Sequence, residues 1–193
     1  RVGESKISVI DDDQFIPGVL VGAMLPYAFA AMTMESVCAA AGAVVAEVRH
    51  QLNTVVGLRE GIIGAEADTT KCVAMVTTAA LYGMVYPALL VVLTPFVIGI
   101  GLGTEMLTGM LLGAIASGFV LGCMMNSAGG AWDNAKKYAE ASGQKGSAQH
   151  KACVVGDTVG DPFKDTSGPA INIQIKLMSY ISVVMVPVFK RHL

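Results

Sequence analysis

Residues 73–112 read VAMVTTAALYGMVYPALLVVLTPFVIGIGLGTEMLTGMLL, 40 residues in which Glu105 is the only charge. A soluble domain of ordinary size has too little interior to hide such a run, whereas a bilayer core needs only about 20 apolar residues per helix. The composition agrees: of 193 residues, 53% are hydrophobic and 15% charged, against about 25% charged in a typical soluble domain. The chain reads as an integral membrane protein. Lipid-exposed backbone must satisfy its own hydrogen bonds, so apolar runs this long mean helices rather than barrel strands.

Four such runs can be marked: Phe15–Ala46 with one charge, Glu35; Val73–Gly103 with none; Met106–Ala131 with none; and Thr166–Phe189 with one, Lys176. The expected fold is an all-α polytopic bundle, with four long helices near 14–50, 70–102, 105–138 and 151–190. Gly99, Gly101 and Gly103, followed by Thr104 and Glu105, predict a tight turn between the second and third. The other two connections are long and polar, and both lie on one side of the membrane because two helices separate them. They hold Arg49, Arg59, Lys71, Lys136, Lys137, Lys145, Lys151 and Lys164, while the opposite side has Arg1, Lys6, Lys190 and Arg191. The positive-inside rule therefore places loops 50–70 and 138–150 in the cytoplasm and both termini outside.

The net charge of −2 gives no basic surface for nucleic acid. Cys38, Cys72, Cys123 and Cys153 have no paired spacing for zinc or a redox pair, and Cys38 and Cys123 read as small buried residues in apolar runs. The polar N-terminal stretch, with Asp11, Asp12 and Asp13, does not read as a secretory signal, and the lack of an initiating Met suggests a piece of a longer protein. Gly109/Gly113 and Gly118/Gly122 are GxxxG pairs, which read as close helix packing.

The chemistry concentrates in Gly156-Asp157-Thr158-Val159-Gly160-Asp161-Pro162-Phe163-Lys164-Asp165-Thr166-Ser167-Gly168-Pro169. On a continuous α-helix Asp157, Asp161, Lys164 and Asp165 fall at roughly 0°, 40°, 340° and 80°, one face. The same count carries the stripe through Asn172 to Lys176, about 28 Å along the axis and close to a hydrocarbon thickness. Three like charges on one face need cations. Lys164 supplies one, and hard carboxylate oxygens without His or Cys point to Mg²⁺ for the rest. The plainer alternative is a solvated acidic face on a projecting helix, but Lys176 extends the stripe to a depth where charge is expensive.

A second cluster, Gly129-Gly130-Ala131-Trp132-Asp133-Asn134-Ala135-Lys136-Lys137, ends the third run. Alone it is an ordinary ion-pair group. Beside the acidic stripe it suits a metal–phosphate complex, since lysine meets phosphate directly and aspartate reaches it only through a bridging cation. A passive cation transporter or channel that does not hydrolyse anything is the alternative, but a cation pathway gains nothing from Lys136, Lys137 and Lys164 beside its carboxylates.

These motifs, with His150-Lys151, Asn172, Lys176-Leu177-Met178, Met24-Leu25-Pro26-Tyr27 and Glu47-Val48-Arg49, resemble the C-terminal part of membrane-integral, ion-pumping pyrophosphatases. The resemblance covers nearly the whole chain, and family members are much longer. It implies Mg²⁺-dependent hydrolysis of inorganic pyrophosphate coupled to movement of H⁺, ahead of Na⁺, across the membrane, in a homodimer with K⁺ as an activator. It implies a vacuolar or acidocalcisome membrane in a eukaryote and the plasma membrane in a prokaryote. Asp133, Asp157 and Asp161 are implied to hold substrate-bound Mg²⁺, joined by Asp165, which helps position or deprotonate the attacking water. Lys136, Lys137 and Lys164 are implied to contact the phosphates, and Asn172 and Lys176 to line the ion pathway. Two departures stand out: Ile181 replaces a glutamate common in relatives, and Glu35 lies mid-span at a position that varies among them.

Overall fold

Long apolar runs with few internal breakers fold as long helices, and each interruption has a chemical cause. The computed structural model describes residues 13–62 and 64–189. Helix α1 spans Phe15–Thr54, α2 Thr69–Gly83, α3 Val85–Gly101, α4 Thr104–Ala141, α5 Ala148–Asp161 and α6 Gly168–Phe189, with a π-helical turn, Pro162–Ser167, joining α5 to α6. The architecture is an all-α membrane helix bundle. Among the described residues, Phe15–Thr54, Thr69–Gly101 and Thr104–Ala141 are long and apolar enough to cross a membrane. The 22 residues of α6 are also of spanning length, at about 20 residues per crossing.

The second expected helix is two, parted at Met84. Pro87 has no N–H, so the Gly83 carbonyl loses its helical donor. Ser36 on α1 supplies a replacement, its hydroxyl shared between the Met32 carbonyl at 2.9 Å and the Gly83 carbonyl at 3.2 Å. The turn before α4 is as the sequence predicts, with Gly103 at φ +100°, a conformation that favours glycine. The fourth expected helix starts at Ala148, where the Ser147 hydroxyl accepts from the His150 N–H at 3.1 Å. Residue 190, its expected end, lies outside the described residues, as do Asp11, Asp12, Arg1, Lys6, Lys190 and Arg191.

Helices α1 and α4 form the most extensive contact, and they touch backbone to backbone. A Cβ on Gly18 would stand 2.3 Å from the Met106 carbonyl oxygen, and one on Gly22 1.9 Å from that of Met110. Reciprocally, Gly109 and Gly113 lie against the carbonyls of Phe15 and Val19, at 2.3 and 2.1 Å from such a Cβ. One GxxxG pair therefore meets another, and the Gly18/Gly22 half escaped the sequence reading. The core at this crossing gathers Leu25, Phe29, Met110, Ala114 and Leu121, and extends to Ile171 and Met178 of α6. Cys38 and Cys123, expected to be buried, are exposed on the outer faces of their helices.

Candidate lysine–aspartate site

Beyond its apolar run α4 continues as a polar helix, and α5 packs along it through small residues. Gly129 meets Gly160, with a Gly129 Cβ only 2.5 Å from the Gly160 carbonyl oxygen. One turn away Trp132 lies over Gly156, whose Cβ would stand 2.2 Å from the indole ring. Gly156 and Gly160 are thus a fourth small-residue pair, hidden in the sequence by the acidic residues around it. This contact sets Asp133 and Lys136 of α4 directly against Asp157, Asp161 and Lys164.

Lys164 stands in the middle. Its ammonium is 2.7 Å from Asp161, 3.1 Å from Asp133 and 3.6 Å from Asp157. Lys136 donates to Asp157 Oδ2 and lies 3.9 Å from Asp133, and Lys137 pairs with Asp133 at 2.9 Å. Asp157 is the buried member, while the Asp161 side chain is 49% exposed. The hydrogen bond from Lys136 holds the Asp157 carboxyl below the usual carboxylate range. The hydrogen bond to Asp161, with the one to Asp133, holds the Lys164 ammonium above the usual lysine value despite its partial desolvation. Both groups are charged at neutral pH.

One acceptor is left over. Asp157 Oδ1 is buried, accepts no hydrogen bond among the described residues, and meets the Lys164 ammonium only as an ion pair at 3.6 Å. A buried carboxylate oxygen without a hydrogen bond costs free energy, and carboxylate oxygens without nitrogen or sulfur donors suit a hard divalent ion. Among the described residues no three His, Cys, Asp or Glu side chains already converge on one metal position. The lysines occupy the space between the carboxylates.

The structure thus brings together Asp133, Asp157, Asp161, Lys136, Lys137 and Lys164 of the expected set. Asp165, in the π-turn, is adjacent in sequence but exposed. The continuous polar stripe needs correcting. The π-turn makes i→i+5 bonds, seen in the Gly168 N–H to the Phe163 carbonyl, and its extra residue slips everything downstream by about 100°. Counting at 100° per residue therefore holds only as far as Asp161. Asn172 and Lys176 lie exposed on α6 in this chain.

Long apolar helices ending in a buried carboxylate shared by two lysines define a polytopic membrane protein with a lysine–aspartate cluster beyond the apolar run of α4. Residues 2–185 match the family of inorganic H⁺ pyrophosphatases, and the chain belongs to that family. It is 47% identical over 186 residues to a K⁺-insensitive pyrophosphate-energized proton pump of Methanosarcina mazei, covering 95% of this chain and 27% of that protein. It is 45% identical over 183 residues to a K⁺-stimulated pyrophosphate-energized sodium pump of Thermotoga maritima, covering 93% and 25%. A K⁺-insensitive proton pump of Caldanaerobacter subterraneus is 46% identical over 175 residues, covering 90% and 24%. The chain spans about a quarter of the length of these curated relatives.

Proposed function

We propose that this chain forms part of the catalytic site of an ion-translocating inorganic diphosphatase, which hydrolyses pyrophosphate with water and moves H⁺ out of the cytoplasm. The observation that carries the reading is the buried Asp157 Oδ1, which accepts no hydrogen bond among the described residues, within a cluster where Lys164 touches three carboxylates. A cation channel has no use for those lysines. A phosphate site does.

Asp133, Asp157 and Asp161 would hold Mg²⁺, with Asp165 beside them. Mg²⁺ bound there supplies neutralisation of the substrate and of the charge developing on the leaving phosphate. Lys136, Lys137 and Lys164 would exchange carboxylate partners for phosphate oxygens as substrate enters. Asp165, exposed beside the cluster, would help position or deprotonate the attacking water, together with an aspartate supplied by the remainder of the protein. Lys176 and Asn172 would belong to the ion pathway, supplied with partners by the remainder of the protein.

The relatives' names include both proton and sodium pumps, and both K⁺-stimulated and K⁺-insensitive ones. We assign H⁺ as the ion, K⁺ as an activator and a homodimer as the assembly. Loops 50–70 and 138–150 would lie in the cytoplasm, in a vacuolar or acidocalcisome membrane of a eukaryote or the plasma membrane of a prokaryote. Membrane vesicles carrying the full-length protein test the reading. Wild type should release phosphate from pyrophosphate only with Mg²⁺ and acidify the vesicle lumen, and Asp161→Asn should lower both rates by about a hundredfold or more. Near-normal hydrolysis by Asp161→Asn would overturn the assignment.

A further inference from the structure

The π-turn that carries Lys164 and Asp165 is held at its far end by a buried hydroxyl pair. Ser167 closes the turn and is completely buried, and its Oγ lies 2.8 Å from Thr33 Oγ1 on α1, itself buried. The donor can be assigned. Thr33 has one hydroxyl proton, and it is given to the Ala30 carbonyl at 2.9 Å, so Ser167 donates to Thr33. Across the turn, Gly168 lies so near Asn126 of α4 that a Cβ there would stand 2.4 Å from its side-chain oxygen. The end of the turn is thus fixed from α1 and α4 at once.

A π-turn is an uncommon conformation that persists where its surroundings hold it, and it recurs at functional sites. Pro162 at its start has no N–H to give to the preceding turn, which removes one bond that an α-helix would regain. Relaxation to α geometry would rotate the residues before the turn against those after it by about 100°. Lys164 would then leave its place between Asp133 and Asp157, or α6 would turn about its axis.

We propose that Thr33 is a positioning residue: by accepting the Ser167 hydroxyl it holds the π-turn, and so keeps Lys164 in the lysine–aspartate site and fixes the rotational phase between that site and α6. The kinetic consequence rests on the reading that Lys164 contacts pyrophosphate; the packing consequence does not. Neither hydroxyl touches substrate.

The test uses five full-length proteins in membrane vesicles and in detergent: wild type, Thr33→Val, Ser167→Ala, the double variant, and Thr33→Ser as the conservative replacement. Valine matches threonine in shape but leaves the buried Ser167 donor unmade, whereas Ser167→Ala leaves Thr33 bonded to Ala30. Thr33→Val should raise the KM for Mg²⁺–pyrophosphate about tenfold with a smaller fall in kcat. Thr33→Ser should return KM to within about twofold of wild type, and the double variant should be no worse than the poorer single. An unchanged KM in Thr33→Val, failure of serine to rescue, or losses that multiply in the double variant would overturn the proposal. Melting midpoints of the same proteins need no substrate and should show the same non-additivity; additive shifts would refute the bond's role. A wild type that melts as described yet does not hydrolyse pyrophosphate would count against the assigned reaction and leave the role of Thr33 in the turn standing.

Discussion

Gly129→Ala should disable the site without altering any group in it. The new methyl carbon would stand 2.5 Å from the Gly160 carbonyl oxygen, 2.8 Å from Lys164 Cβ and 3.1 Å from the Lys164 nitrogen. Two of those atoms are backbone, so α4 and α5 must part. Restoring ordinary contact of about 3.4 Å requires a separation of ~0.9 Å. Added to the 3.1 Å between Lys164 and Asp133, that moves the pair to about 4 Å, beyond hydrogen-bonding distance. Misplacement on the order of 1 Å costs a catalytic site up to about a hundredfold, and overpacking costs ~1–3 kcal/mol of stability. The natural comparison is Gly122→Ala on the same helix, where the added carbon meets Gly168 and Ile171 at 3.9 and 4.0 Å. Phosphate release across a Mg²⁺ titration should show kcat/KM down about a hundredfold for Gly129→Ala and within about threefold of wild type for Gly122→Ala. Equal activities in the two variants would refute the argument that glycine contact between α4 and α5 sets the site.

Gly22→Ala places a methyl group 1.9 Å from the Met110 carbonyl oxygen, and should lower the melting midpoint by several degrees at an overpacking cost of ~1–3 kcal/mol; an unchanged melt would contradict the α1–α4 crossing. Lys176→Ala should cost ion uptake while part of the hydrolysis survives, with Lys176→Arg milder, because Lys176 lies about 16 Å along the helix from Asp165 and cannot reach the phosphates. Uptake and hydrolysis falling in equal proportion in a folded protein would make Lys176 a general requirement for turnover instead. Removing Mg²⁺ with a chelator should stop hydrolysis and leave the helix content by circular dichroism unchanged, since lysines neutralise the carboxylates without metal; loss of helix would contradict that.

The long helices were legible because charge is nearly absent from their spans, and the site because lysines and aspartates recur at helical spacing. What escaped the reading depended on backbone. The break at Met84 has a signal in Pro87, which removes the Gly83 carbonyl's donor, but nothing in the sequence alone says that Ser36 will replace it. The π-turn is bracketed by Pro162 and Gly168, residues that could equally start and pack an α-helix, and the contacts at its end come from far away in the chain: Thr33, bonded to Ser167 134 positions on, and Asn126, packed against Gly168. The pairs Gly18/Gly22 and Gly156/Gly160 were present at GxxxG spacing, yet the first lies within a long apolar run and the second inside an acidic motif. Asp165, Asn172 and Lys176 are exposed in this chain, which spans about a quarter of its relatives' length.

A structure of the full-length protein with Mg²⁺ and a non-hydrolysable pyrophosphate analogue tests the central claim most directly. Analogue density is expected against Lys136 and Lys164, with both ammonium groups turned from Asp157 toward phosphate oxygens, and metal density within about 2.1 Å of carboxylate oxygens of Asp133, Asp157 and Asp161. Analogue bound elsewhere, with Lys164 still held among the three aspartates, would contradict it.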